Sequence, residues 1–487
     1  MSRIQIADRR VIEAPDGANL LRVLRDAGIM LDAPCGGVGR CGKCRLLVNE
    51  RAALACRTQV VGDMRVVLPE QRCAQILTAG DIPRMRLNPL REGPLLAFDI
   101  GTTTLVCYLL DGETGARLAT ASMLNPQTAY GADVVSRIQC ARRGELRAMC
   151  EAVRGGMAEL IRAVCAEGGV RAGDIGVVSV VGNPCMQQLF LGMPVENLAQ
   201  MPFAPALTEM AAIPAAEYLP ACAHALLLVV PDISGYVGAD TLGCALATGL
   251  DASEDVVLLV DIGTNGEMLL AGKGRILACS AAAGPALEGS GILCGMRAVP
   301  GAIDRVWLEN GVLCSSAIGD TEPLGICGSG LIDAAASMLD AGYINRRGRI
   351  QAEEELNGQR FLRLTDSVYL TQEDIRGLQM AKGAIAAGIE LMCAELGISP
   401  VEIDRVLLAG AFGSFIRPES ACRIGLLPVE LQNRIAAVGN AAGSGACMLA
   451  CDREQQRMIQ RLVQRIEFLE LAALPGFRRS FARNMNF

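Results

Sequence analysis

The sequence predicts a two-part protein, α+β at the front and α/β behind: a small mixed-sheet domain, then a long domain of two similar halves. Three observations predict it. A glycine-rich loop, CGGVGRCGKC (35–44), carries three cysteines. From Leu95 onward, apolar strand-like runs alternate with Ala-rich helical segments, the pattern of an α/β fold. Within that stretch Asp-Ile-Gly-Thr occurs twice, at Asp99 and Asp261, each time between two apolar runs.

The first domain reads element by element. RIQIADRRVIE (3–13) gives two short strands around Asp8-Arg9-Arg10. Leu20, Leu21, Val23, Leu24 and Ala27 have helical spacing, and Gly28 stands where a helix stops. After the cysteine loop, KCRLLVNE and MRVVLPE read as further strands, completing a domain over 1–75. AQILTAGDIPRMRLNPLREGP (74–94) has three prolines and no period, so a linker is expected over 76–94, and the long domain over 95–487. There LLAFDIGTTTLVCYLLDG (95–112) and LLVDIGTNGEMLLAG (258–272) form an internal repeat, which predicts two similar subdomains facing across a cleft.

Composition narrows the function. The chain has 487 residues and a net charge of −7, which argues against a general nucleic-acid binder. MSRIQIADRR lacks the apolar core of a signal peptide, and no uncharged apolar stretch is long enough to span a membrane. A cytoplasmic protein is expected, and sixteen of its twenty cysteines then read as small buried thiols in a reducing compartment. The one histidine, His224, reads as an ordinary loop residue, and no Ser-His-Asp or Cys-His arrangement is evident.

The remaining four cysteines are spaced Cys35-x5-Cys41-x2-Cys44-x11-Cys56. Four thiolates suit a structural zinc or an iron–sulfur cluster. Zinc usually takes two separated Cys-x2-Cys knuckles, whereas here three ligands sit in one loop with Gly36, Gly37, Gly39 and Gly42. Glycines let the backbone wrap closely and aim N–H groups at sulfur, which favours a [2Fe–2S] cluster. Cys73 is the alternative fourth ligand.

The long domain has no G-x4-GK[ST] and is not a P-loop ATPase. DIGTTT and DIGTNGE instead read as paired phosphate loops. Gly101 and Gly263 let backbone N–H groups close on phosphate, and Thr102, Thr103 and Thr264 add hydroxyls. Asn265 and Glu267 complete the second loop. Asp99 and Asp261 can hold hydrated Mg2+ or orient the attacking water. AAAGPALEGSGI (281–292) and GICGSGLIDAAA (325–336) read as loop-to-helix entries. They offer Gly284, Gly328 and Ser329 to phosphate, or merely cap helices.

These motifs resemble known families. CGGVGRCGKC resembles the ferredoxins of the plant and adrenodoxin type, which implies a β-grasp-like [2Fe–2S] domain, although those place the fourth cysteine much further on. Residues 95 to about 452 resemble the superfamily of sugar kinases, Hsp70 chaperones and actin. That resemblance implies an ATPase with connecting helices in 234–250 and 439–450. It implies an adenosine motif in VLLAGAFGSF (406–415), with Gly410, Ala411, Phe412 and Gly413 at the nucleoside. QMAKGAIAAGI (379–389) resembles the adenosine-bracketing helix of the Hsp70 branch, which implies Lys382 at adenosine; otherwise it is a solvated helix charge.

The two halves together, with NPQTAYGADVVSRI (125–138) and VGNPCMQQLFLG (181–192), resemble the reductive activators of corrinoid proteins. Many members carry an extra domain between cluster and ATPase; only 74–94 stands there in this chain, so it is expected to be absent. The resemblance implies ATP-dependent transfer of an electron from the [2Fe–2S] cluster to Co(II), restoring Co(I) in a methyltransferase system. It implies a corrinoid protein and an upstream electron donor as partners, and a homodimer. The alternatives are an ATP-dependent electron donor of the dehydratase-activator kind, and a chaperone- or kinase-like ATPase with a structural metal module.

Overall fold

The computed structural model describes residues 1–6, 10–29, 31, 33, 35–39, 41–69, 87–263, 265–351, 355–356 and 358–487. Cys73, Thr264 and linker residues 76–86 lie outside the described residues.

The front domain is a five-stranded sheet covered by one helix. Its elements are β1 (Ser2–Ile6), β2 (Arg10–Ala14), α1 (Leu20–Asp26), β3 (Arg45–Val48), β4 (Arg51–Leu54) and β5 (Met64–Val67), in sheet order β2-β1-β5-β3-β4. β1 runs parallel to β5, and the other pairs are antiparallel. Ile4 and Ile6 alternate inward from β1 and meet Leu20, Leu21 and Leu24 of α1 in one core. Leu54-Ala55-Cys56, where the sequence suggests a strand beginning, instead ends one: β4 stops at Leu54 and Cys56 sits in a 3-10 turn, with Ala55 N–H donating to Cys44 O at 2.9 Å at the open end of the β3–β4 hairpin.

The first half of the long domain runs β6 (Leu95–Ile100), β7 (Thr104–Leu110), β8 (Arg117–Leu124), α2 (Val134–Cys140), α3 (Leu146–Gly168), β9 (Val177–Gly182), α4 (Pro184–Leu191), β10 (Ala211–Pro214), β11 (Leu226–Val229) and α5 (Ala239–Thr248). The second half opens with β12 (Val257–Ile262), β13 (Gly266–Gly272) and β14 (Arg275–Ala281). A small sheet follows, from β15 (Ala302–Glu309), β16 (Val312–Ala317) and β17 (Gly325–Ile326), then α6 (Gly328–Asp340). Another is formed by β18 (Glu355–Leu356), β19 (Gln359–Arg363) and β20 (Tyr369–Thr371), before α7 (Gln372–Leu396). The chain ends with β21 (Arg405–Ala409), α8 (Gly410–Gly413), α9 (Pro418–Arg423), β22 (Ile435–Gly439), α10 (Ala441–Cys451), α11 (Arg453–Arg465), β23 (Ile466–Phe468) and α12 (Phe477–Asn484).

The two main sheets repeat one topology over five strands, with a sixth, β10 or β23, added at opposite edges. Their orders are β10-β11-β9-β6-β7-β8 and β22-β21-β12-β13-β14-β23. In each, the strand before the Asp-Ile-Gly-Thr turn pairs antiparallel with its successor and parallel with the strand on its other side. Strand alternation then decides what each face does. On β6, Leu96, Phe98 and Ile100 enter the outer core of the first half, while Leu95 and Ala97 join a core shared by both sheets, α5 and α10. On β12, Leu258, Val260 and Ile262 face outward, and Val257 and Leu259 join the shared core. Asp99 and Asp261, two residues beyond Ala97 and Leu259, therefore stand on the faces turned toward each other.

α5 and α10 cross between the sheets at near-backbone contact: a Cβ on Gly445 would overlap the Gly243 carbonyl. The 281–292 segment forms no α-helix entry. A 3-10 turn, Pro285–Glu288, ends at Gly289, and the chain turns away. The 325–336 segment does open a helix, α6. No described helix is long and apolar enough to cross a membrane.

Candidate functional site

The cysteine loop needs its glycines. Gly36, Gly37, Gly39 and Gly42 all have positive φ, between 63° and 83°, which L side chains adopt only at a cost. The spacing to Cys56 is explained by the β3–β4 hairpin. Its turn, Asn49-Glu50, has φ of 48° and 67°, the type I′ signature, and it brings Cys44 (before β3) level with Cys56 (after β4).

The thiols meet as two pairs. Cys41 Sγ lies 3.3 Å from Cys35 Sγ, and Cys56 is hydrogen-bonded with Cys44. Burial first, then that bond and the neighbouring thiols, pushes Cys56 up to about 11. No three described metal-binding side chains converge as a single-ion site would require. A two-iron cluster instead takes two thiolates at each iron, so the paired donors fit it, and its positive charge would reverse the thiols' upward shifts.

The second site is a cavity of about 600 Å3 between the two halves, lined by both Asp-Ile-Gly-Thr turns. Asp99, Gly101, Thr102, Thr103, Asp261, Gly263, Asn265, Glu267, Gly328, Ser329, Gly410 and Phe412 all line it. Burial lifts Asp99 to about 7, opposed by a hydrogen bond from Asn440 and helped by Asp240. Burial, Asp240 and Asp99 lift Asp261 to about 7. Burial drives Glu267 well above the usual carboxylate range. A cation bound among these carboxylates would restore their ionised forms, so the donor set fits a Mg2+–phosphate group.

Phosphate loop one is held from behind. Asn125 Nδ2 donates to Gly101 O at 2.8 Å, Asn125 N–H donates to Thr103 O at 2.9 Å, and Arg137 Nη2 donates to Thr102 O. In a trans peptide the N–H opposes the C=O, so tying these carbonyls back turns the N–H groups of the same peptides the opposite way. Gly410 (φ 81°) lets the chain pass Asp261: a Cβ there would lie 2.6 Å from Asp261 Oδ1. A Cβ on Gly328 would overlap Leu287 O and the Phe412 ring, so α6 reaches the cavity wall only as glycine.

Other expected residues lie elsewhere. Lys382 does not line the cavity. It is buried, donates to Asn486 O, and has its Nζ 5.5 Å from the Phe487 ring centroid; burial pulls it down to about 8. Gly284 is also outside the lining, and Leu287, Glu288 and Ser290 of that segment line it instead. Gly413 packs beneath Leu408, and the side chain of Ala411 lies outside the description.

Residues missed from the sequence include Asn183, Asp240, Arg297, Arg417 and Asn440, all on the cavity. Two share a signal. VGN at 181–183 and at 438–440 each ends a strand and starts a helix. Asn183 Oδ1 caps α4 while its Nδ2 donates to Thr102 Oγ1 at 3.0 Å. Asn440 Oδ1 caps α10 while its Nδ2 donates to Asp99 Oδ2 at 2.9 Å.

A sheet domain carrying four paired thiols, joined to a two-lobed, carboxylate-lined cleft, defines a class, and comparison with known proteins gives the same answer. Residues 4–65 match the 2Fe-2S iron-sulfur cluster binding domain, 95–253 the RACo middle region, and 255–487 the C-terminal domain of RACo, the ASKHA domain. The matched middle region is the first half of the cleft domain. The chain is 30% identical to the corrinoid activation enzyme RamQ of Eubacterium limosum, over 96% of this chain and 95% of that one. It is 28% identical to the [Co(II) methylated amine-specific corrinoid protein] reductase of Methanosarcina barkeri, over 80% and 76%. A solved reductive activator for corrinoid, iron-sulfur protein covers 100% of this chain and 98% of its own at 28% identity, with a TM-score of 0.73. The chain belongs to the family of reductive activators of corrinoid proteins: a ferredoxin-type [2Fe–2S] domain followed by a sugar kinase/Hsp70/actin-like domain.

Proposed function

We propose that the chain is an ATP-dependent reductive activator that returns the Co(II) of a corrinoid protein to Co(I). The observation that carries this is one chain holding both a two-by-two set of thiols and a carboxylate-lined cleft between repeated halves. The cluster supplies a one-electron carrier. Cys35, Cys41, Cys44 and Cys56 would hold it, with the hairpin fixing the last two relative to each other.

The cleft residues take the other half of the task. Loop-one amides and the Thr102 and Thr103 hydroxyls would bind phosphate, and Gly410 and Phe412 would meet the nucleoside. Asp99 and Asp261 would hold hydrated Mg2+ and orient water, with Glu267 beside them on the cavity wall. For one electron, every ~59 mV uphill costs about a factor of ten. ATP offsets such steps only by binding two conformations of the complex unequally. A cleft between two lobes sharing one core is a structure that can have two conformations. An upstream electron donor, a cytoplasmic location and a homodimer belong to the same reading.

The test is anaerobic EPR of the dithionite-reduced protein, counted per chain, followed by Co(II)-to-Co(I) reduction of a corrinoid protein with and without ATP. About one S = ½ spin per chain and ATP-dependent Co(I) formation are expected. A colourless, EPR-silent protein that still hydrolyses ATP would overturn the reading.

A further inference from the structure

The segment 125–140 touches both sites. At one end it holds phosphate loop one: Asn125 and Arg137 together take the carbonyls of Gly101, Thr102 and Thr103. At the other it meets the cysteine loop. A Cβ on Gly36 would lie 2.8 Å from Tyr130 O and 3.4 Å from Cys140 Sγ, and Arg25 of α1 stacks over the Tyr130 ring at 5.1 Å.

Between the ends runs a continuous set of bonds. Arg137 is fully buried, and its acceptors among the described residues are all neutral. Its Nε donates to Gly131 O at 3.0 Å and its Nη1 to Gln127 Oε1 at 3.2 Å. Gln127 O in turn accepts Tyr130 N–H at 2.9 Å, and Cys140 Sγ donates to Tyr130 O at 2.9 Å. A shift of the Thr102 carbonyl is therefore felt at Gly131 and Tyr130 through one rigid guanidinium.

The contact at the far end is easily lost. Arg25 Nε and Nη2 are buried with no hydrogen-bond partner among the described residues, and the guanidinium lies over the Tyr130 ring face. Burial accordingly pulls Arg25 below its ordinary range. A second polar tie to the long domain is the bond from Lys43 Nζ to Gly295 O at 3.0 Å.

We propose that Arg137 and Tyr130 are positioning residues that convert nucleotide binding at phosphate loop one into release of the [2Fe–2S] domain from the 130–140 surface. The proposal rests on the nucleotide reading of the cleft. Docked, the cysteine loop faces the chain's own long domain; released, it is free to approach the corrinoid partner.

Hydrogen exchange of the full chain carrying its cluster, with and without Mg2+–AMP-PNP, tests this. Nucleotide is expected to protect peptides covering 99–104 and to raise exchange several-fold in peptides covering 20–44. In Tyr130→Ala the 20–44 peptides should exchange fast from the start, with no nucleotide response, while 99–104 is still protected. Tyr130→Phe, which keeps the ring, should restore the response. Arg25→Gln tests the contact from the other side without touching the buried Arg137 and should behave as Tyr130→Ala. Protection at 99–104 with unchanged 20–44 in the wild type would overturn the relay alone. No protection at 99–104 would overturn the nucleotide reading and the relay with it. A response in Arg25→Gln equal to wild type would also overturn the relay.

Discussion

Asn440 Nδ2 donates to Asp99 Oδ2 at 2.9 Å, tying the start of α10 to phosphate loop one across 341 residues. The same side chain caps α10 through Gly443 N–H at 2.8 Å. One residue thus stabilises a helix and favours the charged form of a buried carboxylate. Asn440→Ala should cost about 1 kcal/mol for the cap. Losing a hydrogen bond to a charged group, ~1.5–3 kcal/mol, should weaken Mg2+–nucleotide binding by roughly ten- to a hundredfold. Thermal melts and nucleotide titration separate the two losses.

Asp261→Asn should lower ATP hydrolysis by about 10²–10⁴-fold, the usual range for a positioned acid–base group. The visible and EPR spectra of the cluster should be unchanged. Hydrolysis at the wild-type rate would show that another carboxylate of the cavity orients the water.

Gly410→Ala should mimic that loss without removing a carboxylate. Its Cβ would lie 2.6 Å from Asp261 Oδ1, and its φ of 81° adds strain of about 1–3 kcal/mol. Expected are a modest fall in melting temperature and a large fall in hydrolysis rate.

The nucleotide-free protein should lose stability as pH rises from about 4 to about 7. Asp99 and Asp261 are raised from 3.8 to about 7 and Asp240 to about 6, each mainly by burial. Within that window the folded state keeps protons that the unfolded state has released, so each retained proton removes about 1.4 kcal/mol of stability per pH unit. Below the window both states are protonated, and above it the contribution is gone. Melting temperature against pH checks the slope, and Asp261→Asn should flatten it. Mg2+–ATP, which favours the ionised carboxylates, should bind more tightly as pH rises through about 7.

Cys44→Ser should abolish the cluster signal while leaving nucleotide binding intact. Cys56→Ser should do the same and Cys73→Ser should not, measured as spins per chain. The reverse result would move the fourth ligand to Cys73.

The legible parts of the fold were those where a local rule leaves few options. A tight turn between two buried strands calls for Gly101 and Gly263, and four glycines among cysteines call for a wrapped loop. The Asp-Ile-Gly-Thr repeat that sets two similar halves across a cleft was equally open to reading. Arg137 was not, because its partners Thr102 and Gly131 come from different segments and nothing near it marks it as buried. Lys382 misled for a related reason. The resemblance of 379–389 to the Hsp70-branch helix implied it at adenosine, but Asn486 and Phe487 fill the space beside it. The paired VGN units were visible as a second repeat, yet their meaning needed the first repeat to be placed in space.

The crossing of α5 and α10 has a mechanical consequence. With Gly445 against the Gly243 carbonyl, the helices touch nearly backbone to backbone, where there is no side chain to yield. Such a joint has no slack, so any side chain placed at Gly445 would act as a wedge that drives the two halves apart.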